Sequence, residues 1–151
     1  MSEPALVRAA RSDDLPALLA IEQASFGSAW SEGQIRAELD SDLAEVLLLE
    51  APPGHPLASA FLRLVADEAE LLRIAVRPEA RGRGLGRRIL LTVLSRMAAG
   101  GARVCHLEVS STNVEARRLY ASAGFRRLGT RPAYYPDGSD AELLALEIDR
   151  P

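Results

Sequence analysis

The chain has 151 residues, of which 48% are hydrophobic, and a formal net charge of −3 with no lysine. This length suits one domain that buries on the order of 70% of its unfolded surface, so we expect a single domain over residues 1–151. One cysteine, Cys105, excludes an internal disulfide, and His55 and His106 lack the further ligands of a zinc site, so no metal is expected. No apolar run reaches membrane-spanning length and the first four residues do not resemble a signal peptide, which favours a cytosolic protein without membrane attachment.

The first part of the chain predicts a strand followed by two helices. Residues 5–9 form a short apolar strand, and residues 12–16 open a helix, because polar caps and an early proline are typical of helix N-termini. A second helix begins at Ser31, where Ser31 and Gln34 have the spacing of a capping box.

The remainder of the chain alternates apolar runs with turn residues. These runs predict strands at residues 44–49, 57–65, 69–76, 104–109, 126–134 and 142–148. One helix ends near residues 100–101, and another begins at Asn113 and is closed by Gly124. The elements together predict a mixed α/β sheet.

A glycine-rich loop, Arg81-Gly82-Arg83-Gly84-Leu85-Gly86-Arg87-Arg88, runs directly into an apolar helical pattern. Glycine allows positive φ and close approach of the backbone, and the free amides and dipole of a helix N-terminus attract anions. The loop therefore predicts a cradle for a phosphate-bearing cofactor.

Two other phosphate-binding motifs, and a plain turn into a helix, compete with this interpretation. A P-loop requires a lysine, and the chain has none. A dinucleotide fingerprint requires Gly-x-Gly-x-x-Gly directly after a strand with an acid about 20 residues later. Here the spacing is Gly-x-Gly-x-Gly, although Glu108 follows Gly84 by 24 residues, so the dinucleotide alternative is weakened and stays open.

Positive charge is concentrated around this loop. From Arg73 to Arg103 there are eight arginines and one glutamate, a balance of +7, so the rest of the chain carries −10. Such a distribution attracts a small polyanion better than a long nucleic acid, which the acidic remainder would repel. No nucleic-acid partner is expected.

A fixed order of motifs covers most of the chain: a strand is followed by Arg-x-x-Gly-x-Gly, a helix, Leu-Glu-Val, Asn and Leu-Tyr-x-x-x-Gly-Phe. This order resembles the GNAT superfamily of N-acetyltransferases. Within that superfamily, six segments resemble the bacterial enzymes that acetylate the N-terminal alanine of a ribosomal protein: Ala29-Trp30-Ser31-Glu32, Asp67-Glu68-Ala69-Glu70-Leu71, Ile74-Ala75-Val76, His106-Leu107-Glu108-Val109, Leu119-Tyr120-Ala121-Ser122-Ala123-Gly124-Phe125 and Tyr134-Tyr135-Pro136. The resemblance implies a mostly antiparallel sheet of about seven strands with about four helices, splayed open at a cofactor cleft.

The cofactor that the resemblance implies is acetyl-CoA, used as a co-substrate. Its pyrophosphate would lie on the glycine-rich loop, in agreement with the anion cradle, and its pantetheine arm would pair with the strand before it. Asn113 is expected to contact the arm, although a simple helix N-cap explains it equally well. The implied cofactor residues are Ile74, Ala75, Val76, Arg81, Gly82, Arg83, Gly84, Leu85, Gly86, Arg87 and Asn113.

Acetyl transfer requires a neutral amine and a proton for the departing thiolate. Glu108 lies on the opposite pleat face from Leu107 and suits the base, because an α-amino group has a pKa of about 7.7 to 8.0. Tyr120 is the candidate acid. Cys105 is expected in the core and not as a nucleophile, whereas His106 shares the face of Glu108 and could assist a proton relay.

The resemblance places the acceptor between residues 26–30, with Phe26 and Trp30, and the aromatic pair Tyr134 and Tyr135. These side chains could equally serve local packing, and Ser110 stands where an arginine is expected. The resemblance implies transfer to the N-terminal alanine of a small-subunit ribosomal protein. Other protein N-termini or a small amine remain open as acceptors, as does a non-catalytic acyl-CoA-binding module.

Overall fold

The computed structural model describes residues 4–26 and 29–148. Its strands are β1 (Leu6–Ala9), β2 (Ala44–Glu50), β3 (Pro56–Val65), β4 (Glu68–Val76), β5 (Val104–Ser110), β6 (Arg126–Arg131) and β7 (Ala141–Glu147). Its helices are α1 (Leu15–Ser25), α2 (Glu32–Asp40), α3 (Leu85–Ala99) and α4 (Val114–Ser122), with 3-10 turns at Ser12–Asp14 and Pro78–Ala80. No helix within these ranges has both the length and the apolar character needed to cross a bilayer.

The strands form one sheet in the order β1-β2-β3-β4-β5-β7-β6. Every neighbouring pair is antiparallel except β4 and β5, which are parallel. The predicted mixed, mostly antiparallel sheet with four helices is confirmed. A dinucleotide-binding fold would need a mostly parallel sheet, so that alternative is wrong.

The sheet opens between its two parallel strands, and the opening is called the fork below. Pairing of β4 with β5 runs from Glu68 opposite Val104 to Leu71 opposite Leu107 and stops there. Beyond Leu107, β5 pairs with β7, and β4 pairs with β3. A bulge at Leu72 bends β4 at the same level, because bulges increase local twist. The predicted splayed sheet is confirmed.

Apolar side chains cover both faces of the sheet. One cluster joins the sheet to α3 and α4, with Ile89, Leu90 and Val93 fully buried. A smaller cluster joins the other face to α1 and α2 through Leu18 and Ile35. Neither α1 nor α2 belongs to the first cluster, so the two faces have separate cores on either side of one sheet.

Local sequence signals set most helix boundaries as expected. Ser31 caps α2, and the side chains of Ser31 and Gln34 form the predicted capping box. One strand end was predicted wrongly: β6 stops at Arg131, three residues before the predicted end at Tyr134. Ala133 has a φ of +49°, which strand geometry does not allow, and residues 132–140 form a loop instead.

Candidate active site

A cleft of about 400 Å³ lies where β4 ends, between the start of α3 and α4. Its walls come from four parts of the chain that the fold brings together. The lining residues are Ser25, Phe26, Ile74, Ala75, Val76, Ala80, Arg81, Gly82, Gly84, Leu85, Gly86, Arg87, Asn113, Glu115, Ala116, Leu119 and Tyr120. All the predicted cofactor residues lie on this cleft except Arg83, which is exposed and does not line it.

The glycines of the loop adopt backbone conformations that side chains disfavour. Gly82 and Gly84 have φ of +81° and +76°, and a Cβ at either position would meet no heavy atom of the described residues within 4 Å. Their requirement is therefore conformational, and the space beside them is open to a ligand. Gly86 differs, because a Cβ there would lie 3.4 Å from the Leu119 side chain, so its absence allows close packing of α3 on α4.

The N-terminus of α3 presents free amides to this space. Gly84 is the N-cap, and the first helical hydrogen bond runs from the Arg88 amide to the Gly84 carbonyl at 3.1 Å. The amides of residues 85–87 precede that bond and have no carbonyl partner within the helix. Together with the helix dipole they form an anion-binding site, the chemistry that a pyrophosphate requires.

The strand beside the loop has an unpaired edge. Because β5 leaves β4 after Leu71, the β5-facing backbone of residues 72–76 has no strand partner among the described residues. Arg81 donates through Nε to the Val76 carbonyl at 3.2 Å, which ties the loop to the end of β4. An extended amide-containing arm can therefore lie along Ile74–Val76 and reach the loop.

Asn113 caps α4 and lies where it can contact a cofactor. Its side chain caps α4 by accepting a hydrogen bond from the Ala116 amide at 3.2 Å, and the residue also lines the cleft. The cap uses Oδ1, which leaves the amide nitrogen of Asn113 available to a ligand.

Glu108 is the first residue of β5 beyond the fork. Its neighbours Leu107 and Val109 are buried on the other face, whereas the Glu108 side chain is 34% exposed. Arg131 of β6 lies against it, with Nη1 at 3.1 Å from Oε1. The carboxylate is thus oriented and solvent-accessible, as a base that acts on an incoming amine requires.

Tyr120 reaches the cleft from α4 on the opposite side of the sheet. It is 6% exposed, and its ring packs edge-on against Phe125 with centroids 5.6 Å apart. Its hydroxyl has no hydrogen-bonding partner in the part of the chain that the structure describes. Burial raises the pKa of Tyr120 well above that of a free phenol, so the hydroxyl keeps its proton.

The other reactive side chains of β5 are Cys105, which lies on the core face, and His106, which lies on the face of Glu108. Cys105 is fully buried, and burial raises the pKa of its thiol to about 12. Such a thiol is a poor nucleophile near neutral pH, which supports the prediction that Cys105 is a core residue. His106 lies 3.8 Å from Glu68 near the paired end of the fork, and Glu68, not Glu108, is its ion-pair partner.

A buried ion pair that the sequence did not predict lies beside the fork. Glu22 of α1 is fully buried, and its Oε1 lies 3.0 Å from Nη1 of Arg73 on β4. The Arg73 guanidinium lies 3.9 Å from the centroid of the Phe26 ring and 4.9 Å from that of Trp30. In the sequence, Glu22 and Arg73 each appear only as a single charged residue inside an apolar run. That pattern does not show that the two residues pair with each other.

The predicted acceptor aromatics lie on the same side as this ion pair. Trp30 packs edge-on against Phe61 at 5.0 Å, and Tyr134 packs against Tyr135 at 5.2 Å. Burial is the main cause that raises the pKa of Tyr135, and the charge of Glu108 adds to it. Residues 27 and 28 of the predicted acceptor segment lie outside the described residues.

Ser110 has a structural role in this sequence. Its hydroxyl lies 2.8 Å from that of Ser139 and 2.9 Å from that of Thr112, so it joins the β6–β7 loop to the end of β5. The Ser111 amide also donates to the Asp140 carbonyl at 2.9 Å. The loop that carries Tyr134 and Tyr135 is therefore held beside Glu108 by short hydroxyl contacts.

The comparison with known families agrees with this geometry. Residues 15–125 match the family model described as the acetyltransferase (GNAT) family. The chain belongs to this family. Acetyl-CoA is the acetyl donor of these enzymes, and the cradle, the unpaired strand edge and the open fork fit that molecule.

Individual relatives cover nearly the whole chain. A relative from Bacillus subtilis (strain 168) is 32% identical over 99% of both chains. The ribosomal protein bS18-alanine N-acetyltransferase of Escherichia coli (strain K12) is 36% identical over 89% of this chain and 92% of its own. The crystal structure of the ribosomal-protein-S18-alanine N-acetyltransferase from Escherichia coli superposes with a TM-score of 0.91 at 33% identity, covering 97% of this chain and 96% of that one.

Proposed function

We propose that this protein transfers the acetyl group of acetyl-CoA to the N-terminal α-amino group of a protein, with the N-terminal alanine of ribosomal protein S18 as its acceptor. The observation that carries the proposal is the fork, which opens the sheet between a cofactor cradle and an accessible carboxylate. The relatives named for that acceptor support its identity. Because ribosomes are cytoplasmic in bacteria, a ribosomal acceptor implies a cytoplasmic location for the protein. The proposal also treats residues 1–151 as one domain.

The cofactor side holds the donor through backbone groups. The amides at the start of α3 bind the pyrophosphate, and the free edge of β4 at Ile74, Ala75 and Val76 binds the pantetheine amides. The side chains of Arg81 and Arg87, which line the cleft, add positive charge. The backbone amide near Val76 stabilises the oxyanion that forms on the acetyl carbonyl.

Glu108 acts as the base. An α-amine with a pKa of about 7.7 to 8.0 is largely protonated at neutral pH, and only its neutral form can attack the thioester. The Glu108 carboxylate, oriented by Arg131, takes the proton directly or through one water molecule. The nitrogen then attacks the acetyl carbon.

Tyr120 serves the leaving group. When the tetrahedral intermediate collapses, the bond from carbon to sulfur breaks and the thiolate requires a hydrogen-bond donor and a proton. The Tyr120 hydroxyl keeps its proton, lines the cleft and has no competing partner within residues 4–26 and 29–148, so it can donate a hydrogen bond to the departing sulfur. Burial that disfavours the phenolate also disfavours a charged thiolate, so the proton is shared with the sulfur as the bond breaks. The buried Cys105 thiol supports direct transfer over an acyl-enzyme.

Mass spectrometry of peptides incubated with acetyl-CoA tests the proposal. A peptide that begins with alanine and contains an internal lysine should gain one acetyl group, located by fragmentation at the N-terminus. The same peptide with a blocked N-terminus should stay unmodified. The N-terminus should react first, because a lysine amine with a pKa of about 10.4 is neutral roughly 300 times less often than an α-amine. Acetylation of the lysine alone would therefore contradict the proposal.

A further inference from the structure

The Glu22–Arg73 ion pair lies at the fork, on the face where Glu108 lies. Leu71 and Leu107, the last pair before the fork, both belong to the cluster on the α3 and α4 side. Glu108 follows Leu107 and so points to the opposite face. Because of the bulge, Arg73 pairs with Phe61, whose side chain belongs to the α1 and α2 cluster. Arg73 and Glu108 therefore share one face and lie on opposite arms of the fork.

The hydroxyl of Tyr135 lies within the field of both charges. The negative charge of Glu108 raises the pKa of Tyr135, and the positive charge of Arg73 opposes that increase. Tyr135 belongs to the loop that resemblance assigns to the acceptor. Both charges therefore act on the Tyr135 hydroxyl, and Arg73 and Glu108 do so from the two arms of the fork on the same face of the sheet.

The guanidinium of Arg73 has more donors than partners. It carries five N–H groups, and its polar contact is Nη1 with Oε1 of Glu22 at 3.0 Å. Across the described ranges no other polar group bonds to it, and the second Glu22 oxygen, Oε2, is buried without a partner. Its side chain is only 16% exposed, so solvent satisfies few of these donors. The N–H groups of Arg73 that lack a partner among the described residues can only donate, so they indicate a site that an acceptor group of a ligand completes.

We propose that the Arg73 guanidinium donates a hydrogen bond to the first backbone carbonyl of the acceptor chain, so that Arg73 selects aminoacyl chains over simple amines. This inference rests on the proposed function. An acceptor whose α-amine lies at Glu108 carries a carbonyl two bonds farther along, and Arg73 lies across the fork from Glu108 on the same face. The carbonyl oxygen accepts and the guanidinium only donates, so the two groups are complementary. Phe26 and Trp30 hold the guanidinium in place.

A pair of peptides that differ in one atom tests this contact. One begins with alanine, and the other has sulfur in place of the first carbonyl oxygen, which makes that group a weaker acceptor. The wild-type protein should prefer the oxygen peptide by about 10-fold in kcat/KM, because charge-assisted hydrogen bonds are among the stronger ones. In the double variant Glu22→Gln and Arg73→Met the preference should fall to about 1.

Matched controls separate recognition from folding. Glu22→Gln alone keeps Arg73 and should keep the preference for the oxygen peptide. A peptide with sulfur at its second carbonyl should show the same decrease in kcat/KM in the wild type and in all variants. If the double variant does not bind acetyl-CoA, Arg73→Lys is used instead. Lysine has a shorter side chain that ends in one ammonium group, so this variant should lose the preference for the oxygen peptide. A preference that persists without the guanidinium, or that is missing in the wild type, overturns the inference. Failure of the wild type to acetylate either peptide would instead overturn the proposed function.

Discussion

The two sides of the fork are built by different kinds of interaction. On the cofactor side, Gly82, Gly84 and the start of α3 form the cradle from residues adjacent in the chain, and backbone groups do the binding. On the acceptor side, Glu108 meets Arg131 and Arg73 meets Glu22, so side chains distant in sequence form the site. A local backbone site suits a donor common to a whole family. A site built from contacts between side chains that are distant in sequence can differ between enzymes that acetylate different acceptors.

The largest effect is expected from removing the base. Glu108→Gln should lower the transfer rate by about 10² to 10⁴ near neutral pH while acetyl-CoA binding stays almost intact. The defect should shrink as the pH rises, because more of the amine is already neutral. Rates measured from pH 6 to 10 check this, with His106→Gln as the control on the same strand face. A loss that is constant with pH would assign Glu108 a positioning role.

The next effect concerns the leaving group. Tyr120→Phe removes only a hydroxyl that has no hydrogen-bonding partner among the described residues, so the fold should persist. Turnover should fall by about 10², since the thiolate loses its hydrogen-bond donor and proton source. Steady-state kinetics with a thermal melt as the folding control measure this. Full activity of the variant would rule out the acid role.

The cofactor side can be disrupted without touching the acceptor side. Acetyl-CoA at about 100 times its dissociation constant should stabilise the protein by about 2.7 kcal/mol, and NAD should do little. Gly84→Val should abolish that stabilisation, because valine disfavours a φ of +76° and its side chain enters the open cradle.

Gly54→Val is a matched control for this substitution. Gly54 has a φ of +97° and equally open surroundings, but it lies outside the cleft. Its substitution should cost stability and leave the response to acetyl-CoA unchanged. Thermal melts with and without acetyl-CoA compare the two variants, and an undiminished response in folded Gly84→Val would contradict the cradle.

The smallest effect is expected from the buried thiol. Cys105→Ala should change the rate by less than about 3-fold, because a thiol whose pKa burial raises to about 12 supplies no thiolate at neutral pH. Loss of activity in a folded variant, or an acetylated Cys105 peptide after a chase without acceptor, would favour an acyl-enzyme over direct transfer.

The contrast between local patterns and long-range contacts also explains which features could be predicted from the sequence. The capping box at Ser31, the positive φ at Gly84 and the alternation around Glu108 are local patterns, and each was predicted correctly. The splayed sheet was predicted from resemblance to a family, and the strand order was not predicted from the sequence. The Arg73 ion pair joins residues 51 positions apart, and the contact between Ser110 and Ser139 joins the loop after β6 to β5 across 29 positions. No local pattern encodes such partners.

Competition among peptides that differ only in their first residue tests the central claim most directly, because it asks whether the acceptor side selects an N-terminal alanine. Equal amounts of peptides beginning with Ala, Ser, Met and Leu are incubated with acetyl-CoA, and mass spectrometry follows the products. Alanine should be acetylated faster than the bulky residues by about 10-fold or more, because a small pocket excludes added methylenes. Equal rates for all four would contradict selection of alanine and indicate an enzyme for N-termini in general.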